Sequence, residues 1–197
     1  MKIGFILECS PKGPDADIYP YLAGKFCDKL TIAKPETLVN KKNVMNEGPL
    51  VAKTLLDSGC DYVFIIWDRL PKWGGTGNCD DHTAEIHKGL SIQGVDIGRV
   101  FCCCIKDMLE SWMIGDGAVI TRYFQSFTNH KQDSFPDYKS AAEQAKPEEK
   151  LSRYNNRYNK FTDNFAIVKT ITDFKKLAQR NESFKHFKES VEAICHL

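Results

Sequence analysis

The sequence predicts an α/β fold with a mainly parallel sheet flanked by helices. Two short runs, Lys2–Glu8 and Tyr62–Asp68, are almost entirely apolar, rich in Ile, Phe and Val, and each closes with one acid. Continuous apolar runs of this length are typical of strands buried on both faces of a parallel sheet. A third run, Arg99–Ile105, has the same character, and segments with helical periodicity separate the three. This alternation of strand and helix favours an α/β architecture.

The shorter elements are predicted from the spacing of apolar residues and from the residues that end helices and strands. Apolar residues recur at helical spacing in Ile18–Leu30, and either Asp15 or Asp17 is placed to cap this helix. Leu30–Ala33 predicts a second, short strand, which Pro35 ends. The order of elements at the start of the chain is therefore strand, helix, strand.

Two helices are predicted on either side of the run Tyr62–Asp68. Glu47–Ser58 has an apolar helical face, and Gly59 stands at the position after a helix end where glycine is favoured. Asp81–Leu90 is predicted as a helix that follows a glycine-rich loop, Trp73–Gly77. That loop lacks the Lys-Ser or Lys-Thr ending of a P-loop. We therefore interpret it either as a loop whose glycines give the backbone freedom beside a site or as a simple turn.

The chain changes character after the third predicted strand. Residues 106–124 are predicted to be helical with a break at Gly115–Gly117, Gln125–Pro136 predicts a polar loop, and the remainder predicts several short helices. We therefore expect an α/β core at residues 1–120. An α-helical C-terminal extension at residues 121–197 is expected to pack on it, so that the chain forms a single compact unit.

Composition and charge argue against several classes of protein. The 197 residues are 42% hydrophobic and 27% charged, and the formal net charge is +1, so no strong overall field predicts a nucleic acid or a membrane as partner. No apolar run approaches the roughly 18 residues that a membrane-spanning helix needs. The N-terminus enters a strand without a signal-peptide pattern. We expect a cytoplasmic protein that does not interact with membranes.

Eight cysteines are present, and three of them, Cys102–Cys104, are consecutive within an apolar run. Neighbouring residues of a strand point to opposite faces of the sheet, which makes pairing between them difficult. We therefore interpret the cysteines as buried free thiols in a reducing compartment.

Glu8 and Asp68 each end an apolar strand, and they are the first candidates for a functional site. The carboxyl ends of neighbouring parallel strands open onto one crevice, so we expect the two carboxylates to lie side by side, where they could hold a divalent cation. An acid in this position must reach water, a partner or a metal, because burying it unpaired is unfavourable. The alternatives are a helix cap or a lysine partner for Glu8, and an ion pair with Arg69 or Lys72 for Asp68.

Asp107 and Glu110 follow the third strand and extend this candidate site. They are three residues apart, so one helical turn brings both to a similar face. Either could join Glu8 and Asp68 as a ligand of Mg²⁺ or Mn²⁺, since these ions prefer carboxylate oxygens. The alternative is that both are acids of a helix N-terminus, where the helix dipole favours negative charge.

Basic residues are concentrated in the C-terminal part of the chain. From Lys146 to Lys188, lysines and arginines alternate with tyrosines and phenylalanines. Such a pattern could follow a phosphate backbone and stack on bases, or it could be a solvated helix face whose aromatic residues lie in the core. The candidate nucleic-acid-binding residues, three of which lie near the predicted site, are Arg69, Lys72, Lys106, Arg153, Arg157 and Lys160.

The acids together resemble the Toprim-like arrangement, in which a Glu on the first strand and an Asp-x-Asp on a later one bind magnesium for phosphodiester chemistry. The segment Met108–Asp116, which contains Glu110, resembles the hallmark run of the DUF4276 family, a Toprim-related group. Three later segments also resemble features of that family: Pro147–Leu151, Tyr158–Lys160 and Glu182–Phe184. The resemblance extends over nearly the whole chain.

The resemblance implies a Toprim-like sheet in a cytoplasmic prokaryotic protein. It further implies a nuclease-like component of antiphage defence that acts with an ATPase of the AAA or ABC type. Glu8 matches the first-strand acid, Asp68 the first Asp of Asp-x-Asp, and Glu110 the acid of the Trp-containing segment. Two positions depart from the pattern, because Cys9 replaces a common Gly and Leu70 stands where the second Asp is expected.

The missing second Asp leaves more than one function open. The first hypothesis is a nuclease dependent on Mg²⁺ or Mn²⁺, with the three matched acids as catalytic residues and with Asp80, Asp81 or Asp107 replacing the lost ligand. The second is a catalytically silent module that binds an ATPase partner or a nucleic acid, and the third is a phosphohydrolase of small molecules. The sequence also allows a homo-oligomer.

Overall fold

The structure is a computed structural model, and it describes residues 1–70, 78–127 and 133–196. Its sheet is entirely parallel, with the order β2-β1-β4-β5, and β3 pairs with β1 on the same side as β2 but nearer the carboxyl end. The prediction of an α/β fold with a parallel sheet is therefore confirmed. The five strands are β1 (Lys2–Leu7), β2 (Thr31–Ile32), β3 (Glu36–Thr37), β4 (Tyr62–Asp68) and β5 (Val100–Ile105).

Nine α-helices occur in the described residues, and a short 3-10 helix, Ile97–Arg99, leads into β5. The short strand expected at Leu30–Ala33 is β2, whereas nothing in the sequence had indicated β3. The helices are α1 (Asp15–Phe26), α2 (Lys41–Asp57), α3 (Cys79–Ile92), α4 (Glu110–Met113), α5 (Gly117–Gln125), α6 (Pro147–Tyr154), α7 (Lys160–Lys169), α8 (Phe174–Arg180) and α9 (Glu182–Cys195).

The apolar strands are buried on both faces because helices cover both sides of the sheet. Alternate residues of a strand face opposite sides, so that Phe5 and Leu7 of β1 belong to one hydrophobic cluster and Ile6 to another. The first cluster includes α1 and the C-terminal helices, whereas the second lies beneath α2 and α3. In the first, Phe64 of β4 stacks on Phe5 and Phe101 of the neighbouring strands.

The ends of α1 and α2 decide which side chains reach the carboxyl edge of the sheet. α1 begins at Asp15 itself, after Pro14, and no side-chain hydrogen bond caps it, so the prediction that Asp15 or Asp17 caps this helix is wrong. Proline fixes its own backbone near helical values and starts the helix earlier than the apolar spacing indicated. In α2 the side chain of Asn40 accepts a hydrogen bond from the Asn43 N–H.

The C-terminal helices pack directly on the α/β layers. α9 lies against β5 and α1, and the indole of Trp112 in α4 stacks on Phe187 and donates a hydrogen bond to Ser183 Oγ at 2.9 Å. The first hydrophobic cluster contains residues from both sides of residue 120, which itself lies within α5. The division into a core at 1–120 and an extension at 121–197 stays a prediction.

Two disulfides contradict the interpretation of all the cysteines as free thiols. Cys27 at the end of α1 is bonded to Cys195 of α9, and Cys79 of α3 is bonded to Cys104 of β5. The consecutive cysteines indeed do not pair with one another. The difficulty of pairing neighbouring cysteines does not exclude these bonds, because packing brings together residues that are 168 and 25 positions apart in the sequence. The remaining four cysteines, all free, are Cys9, Cys60, Cys102 and Cys103.

None of the helices in the described ranges is long and apolar enough to cross a membrane.

Candidate functional site

Four carboxyl groups line one cavity of about 200 Å³ at the carboxyl edge of the sheet. Glu8 follows β1, Asp68 ends β4, Asp15 begins α1 and Glu110 begins α4. The carboxyl ends of parallel strands and the first turns of the helices that follow them meet at this edge. Further lining residues come from the β1–α1 connection, from residues 108–109 and from α7, the last of these being Lys160, Phe161 and Asn164.

Glu8 is held by backbone groups of two elements. Its Oε2 accepts a hydrogen bond from the Asp68 N–H at 3.2 Å, and the N–H of Lys41, the first residue of α2, also donates to the carboxyl group. Burial raises the pKa of Glu8 to about 7, although the Lys41 charge and the two N–H groups oppose this shift. The alternatives of a helix cap and a lysine partner therefore describe part of its surroundings, because the first N–H of α2 and the Lys41 charge both act on Glu8. Neither of them overcomes the effect of burial on its pKa.

Asp15 and Asp68 also have raised pKa values, because nearby lysines offset only part of the effect of burial. Burial, followed by the negative charge of Glu110, raises the pKa of Asp15 to about 7, and Lys160 offsets only part of the shift. Burial likewise raises the pKa of Asp68 well above its usual range, and the charges of Asp15, Glu110 and Glu8 add to the effect. The four acids therefore act on one another through repulsion.

Glu110 is fixed by the C-terminal half of the chain. It is buried, its Oε1 accepts a hydrogen bond from Asn164 Nδ2 at 2.8 Å, and the Tyr158 hydroxyl oxygen lies 3.4 Å from the same Oε1. That hydroxyl donates to Asn164 Oδ1 at 2.6 Å and so fixes the amide that binds Glu110. Burial and the Glu110 charge raise the pKa of Tyr158, so its hydroxyl stays protonated and available as a donor. This arrangement orients Glu110 toward the cavity.

The donor set suits a hard divalent cation, but no coordination shell is preassembled. Carboxylate oxygens are the ligands that Mg²⁺ and Mn²⁺ prefer, and a cation would offset the repulsion among the acids. Within the part of the chain that the structure describes, no salt bridge reaches Glu8, Asp15, Asp68 or Glu110. Across those same residues, no group of three or more His, Cys, Asp or Glu side chains is arranged to hold a metal ion.

Asp107 does not join the other predicted acids. Its carboxylate is buried and accepts a hydrogen bond from Arg69 at 2.7 Å, and it lines two other cavities rather than this one. Its backbone adopts φ +68°, which is uncommon for a residue other than glycine and turns the chain between β5 and α4. The structure therefore separates Asp107 from Glu110, which the one-turn spacing had placed on a similar face.

None of the acids considered as replacements for the second Asp lines this cavity. Asp80 and Asp81 lie in the first turn of α3, and Asp80 lines a different cavity beside β5. Leu70, at the position of the missing Asp, lines a cavity with Asp107. Asp15 supplies the additional carboxylate instead.

The predicted basic residues are dispersed, and Lys160 alone among those described lines the carboxylate cavity. Lys160 pairs with Glu148 at 3.4 Å, Arg69 pairs with Asp107, and Lys106 pairs with Glu182. Two further residues, Arg153 and Arg157, are exposed on and just after α6, and Lys72 lies outside the described residues.

Sequence reasoning missed several groups of this site, for identifiable reasons. Asp15 was interpreted only as a helix cap, although it follows the first strand closely and could have been placed at the same sheet edge. Lys41 and Asn164 carry no local signal, because tertiary packing alone brings α2 and α7 to the cavity. Phe161 was part of an aromatic pattern, but nothing distinguished it from core residues.

Comparison of the chain with protein-family models, curated proteins and solved structures gives no match. The resemblance to the DUF4276 family and to Toprim-like proteins therefore stays a prediction, and the geometry of the cavity is the basis for proposing a function.

Proposed function

We propose that the carboxylate cavity binds Mg²⁺ or Mn²⁺ and hydrolyses phosphodiester bonds. The observation that carries the proposal is the convergence of Glu8, Asp15, Asp68 and Glu110 in one cavity, with the pKa values of three of them raised. Acids with raised pKa values that gather in a cleft are typical of functional sites. A bound divalent ion would activate a water molecule and neutralise charge on a phosphate.

The protein groups have distinct roles in this proposal. Asp15, Asp68 and Glu110 would hold the ion through their carboxylate oxygens, and Asn164 and Tyr158 keep Glu110 in place. Glu8 would be a further ligand of the ion, and its pKa of about 7 also suits it to accept or donate a proton near neutral pH.

Two residues at the start of α7 favour a nucleic acid as the substrate. Lys160 lines the cavity and can pair with a phosphate, and the Phe161 side chain lines the same cavity while 58% exposed. An exposed aromatic ring beside a cation is the combination that stacks a base next to its phosphate. A cavity of about 200 Å³ admits part of one strand, so the proposed substrate is single-stranded DNA or RNA.

The second hypothesis, a catalytically silent binding module, is favoured by two observations. No preassembled metal-binding group occurs in the described residues, and Leu70 occupies the position of the second Asp. A role in antiphage defence and an ATPase partner are further proposals, which depend on the resemblance alone.

The test is cleavage of labelled single-stranded DNA and RNA in Mg²⁺, in Mn²⁺ and in chelator. We expect Glu8→Gln and Asp68→Asn to lower the rate by at least about 100-fold, the upper range for loss of a group that supports a metal site. Asp57→Asn is the matched control, because Asp57 ends α2 just before β4 and lies at the opposite edge of the sheet.

Cleavage that survives both pocket variants would contradict the proposed site. Metal binding without cleavage by the unmodified protein would favour the silent module.

A further inference from the structure

We propose that Cys79–Cys104 is a redox-active disulfide, which a dithiol reductant reaches through the cavity beside β5, whereas Cys27–Cys195 is a stable cross-link. The two disulfides occupy different surroundings, and this difference carries the inference. The proposal does not depend on phosphodiester chemistry, because it concerns a separate cavity and has its own readout.

Access distinguishes the two disulfides. Cys79 and Cys104 are both partly exposed, and both line a cavity of about 750 Å³ between α3, β5 and the start of α9. Cys27 is 3% exposed and belongs to the main hydrophobic cluster; Cys195 is partly exposed, but it packs against that cluster and is bonded to the buried Cys27. Thiol–disulfide exchange needs an attacking thiolate in line with the S–S bond, so exposed disulfides are the ones that react.

The position of Cys79 favours it as the leaving sulfur. Cys79 is the first residue of α3, a helix of 14 residues, where unpaired N–H groups stabilise a negative charge. Arg69 and Lys106 line the same cavity, although each has an acidic partner, Asp107 and Glu182. A sulfur that leaves as a stabilised thiolate leaves faster, so attack is expected at the Cys104 sulfur.

Other titratable groups also face this disulfide. Asp80 lines the cavity and Asp81 lies in the first turn of α3, so both oppose a thiolate at Cys79, while two histidines of the cavity wall favour it when protonated. These two histidines are His87 and His186.

A dithiol is well suited to reduce this disulfide. Cys102 lines the cavity two residues before Cys104, on the same side of the strand, where a reactive thiol could resolve a mixed disulfide. Burial raises the pKa of Cys102 to about 12, so it stays protonated and reacts slowly. The second sulfur of a dithiol can complete the exchange without Cys102.

The reaction is balanced with a dithiol as the two-electron donor. One thiolate of the dithiol attacks the Cys104 sulfur, a mixed disulfide forms, and the Cys79–Cys104 bond breaks to give the Cys79 thiolate. The second thiol of the reductant then attacks the reductant's first sulfur, which is bonded to Cys104, and the Cys104 thiolate is released. The products are two cysteine thiols and the cyclic or oxidised disulfide of the reductant, and the two protons of the dithiol end on the cysteines.

The experiment is titration of the folded, full-length protein with dithiothreitol, followed by alkylation and mapping of each cysteine by mass spectrometry. We expect Cys79 and Cys104 to become labelled at a dithiothreitol concentration at least about tenfold lower than Cys27 and Cys195 require. Cys102→Ser should leave this order and the midpoint unchanged, because Cys102 takes no part.

A matched variant tests the chemistry rather than the fold. Asp80→Asn removes a negative charge beside the leaving sulfur and is expected to speed reduction about threefold, on the scale of one exposed charge interaction. Reduction of Cys27–Cys195 first, or of both disulfides at the same concentration, would overturn the proposal. A mixed disulfide of the reductant trapped on Cys79 rather than on Cys104 would overturn the assignment of the leaving sulfur.

Discussion

The protein contains two clusters of acids that differ in what surrounds them. In the first, Asp116 and Asp137 pair with Lys176 and Arg180, with Arg180–Asp137 at 2.7 Å. Although burial opposes ionisation, hydrogen bonds from Arg180, the Gly117 N–H and Lys176 lower the pKa of Asp137. In the second cluster, the carboxylate cavity, the charges of Lys41 and Lys160 offset only part of the effect of burial, and the pKa values of three of the acids are raised.

This difference separates structural acids from candidate functional ones. The paired cluster joins the start of α5, the segment before residue 138 and α8, so its charges are compensated within the protein and hold the C-terminal helices together. In the carboxylate cavity the repulsion among acids opposes folding and is relieved by a proton or a cation. An arrangement that destabilises the protein by itself is typical of a site shaped by function.

The largest effect is expected at Gly117, whose N–H donates to Asp137 in the paired cluster. A Cβ at this position would lie 2.2 Å from the Phe135 carbonyl oxygen, so Gly117→Ala should separate α5 from residues 135–137 and destabilise the protein by about 3 kcal/mol. Gly24→Ala is the control, because no atom lies within 4 Å of its added Cβ. Equal unfolding midpoints in denaturant for the two variants would contradict this packing.

The pH dependence of stability should distinguish the carboxylate cavity. The folded-state pKa of Glu8 and of Asp15 is raised to about 7, so the unfolded state loses these protons first and stability falls as pH rises from about 4.5 to about 7. Mg²⁺ requires ionised carboxylates and should therefore stabilise the protein more at pH 8 than at pH 5.5. At 100 times its dissociation constant, the ion should add about 2.7 kcal/mol.

Thermal unfolding with and without Mg²⁺ at the two pH values measures this effect, and Glu8→Gln should flatten the pH dependence. A Mg²⁺ effect that is equal at both pH values would show that the ion does not compete with protons in this cavity.

Replacement of one ionisable side chain should change the stability of the protein in opposite directions in the two clusters. Lys176→Met leaves Asp116, which is buried, without its cation and should destabilise the protein by about 2 kcal/mol. Asp68→Asn removes a carboxyl group whose ionised form is disfavoured by burial and by the neighbouring acids, and it should stabilise the metal-free protein by about 1 kcal/mol. Denaturant unfolding in chelator compares them, and a loss of stability in both variants would remove the distinction between the clusters.

The smallest effect is expected at the rim of the carboxylate cavity. Phe161→Ala should raise the KM for a single-stranded substrate about tenfold, in the range of one lost base-stacking contact, while kcat stays nearly constant. Phe161→Trp should retain the low KM, because it keeps an aromatic face. A normal KM for Phe161→Ala would exclude base stacking at this residue without affecting the proposed metal site.

The parts of the fold with a local signal were predictable from the sequence. β4 spans the predicted residues, and β1 and β5 each differ from the prediction by one, because a strand buried on both faces leaves a continuous apolar run. α2 begins six residues before the predicted start, since its first turns are polar and only its Asn40 cap marks them. The two-residue strand β3 is too short to leave a pattern.

The site was only partly predictable, because its remaining members are defined by tertiary packing. The ends of β1 and β4 identified Glu8 and Asp68, and the Trp-containing segment identified Glu110. The backbone turn at Asp107 and its pairing with Arg69, however, cannot be inferred from spacing. The two disulfides could not be inferred for the same reason, because each joins elements that meet only in the folded protein.

Calorimetric titration of Mn²⁺ into the protein at pH 8 tests most directly whether the carboxylate cavity is a metal site. The protein, Glu8→Gln and Asp107→Asn form the decisive set, because Glu8 lies in the cavity whereas Asp107 is paired with Arg69. We expect Glu8→Gln to weaken Mn²⁺ binding at least about tenfold and Asp107→Asn to leave it unchanged. Unchanged binding in Glu8→Gln, or its loss in Asp107→Asn alone, would contradict the assignment of the site.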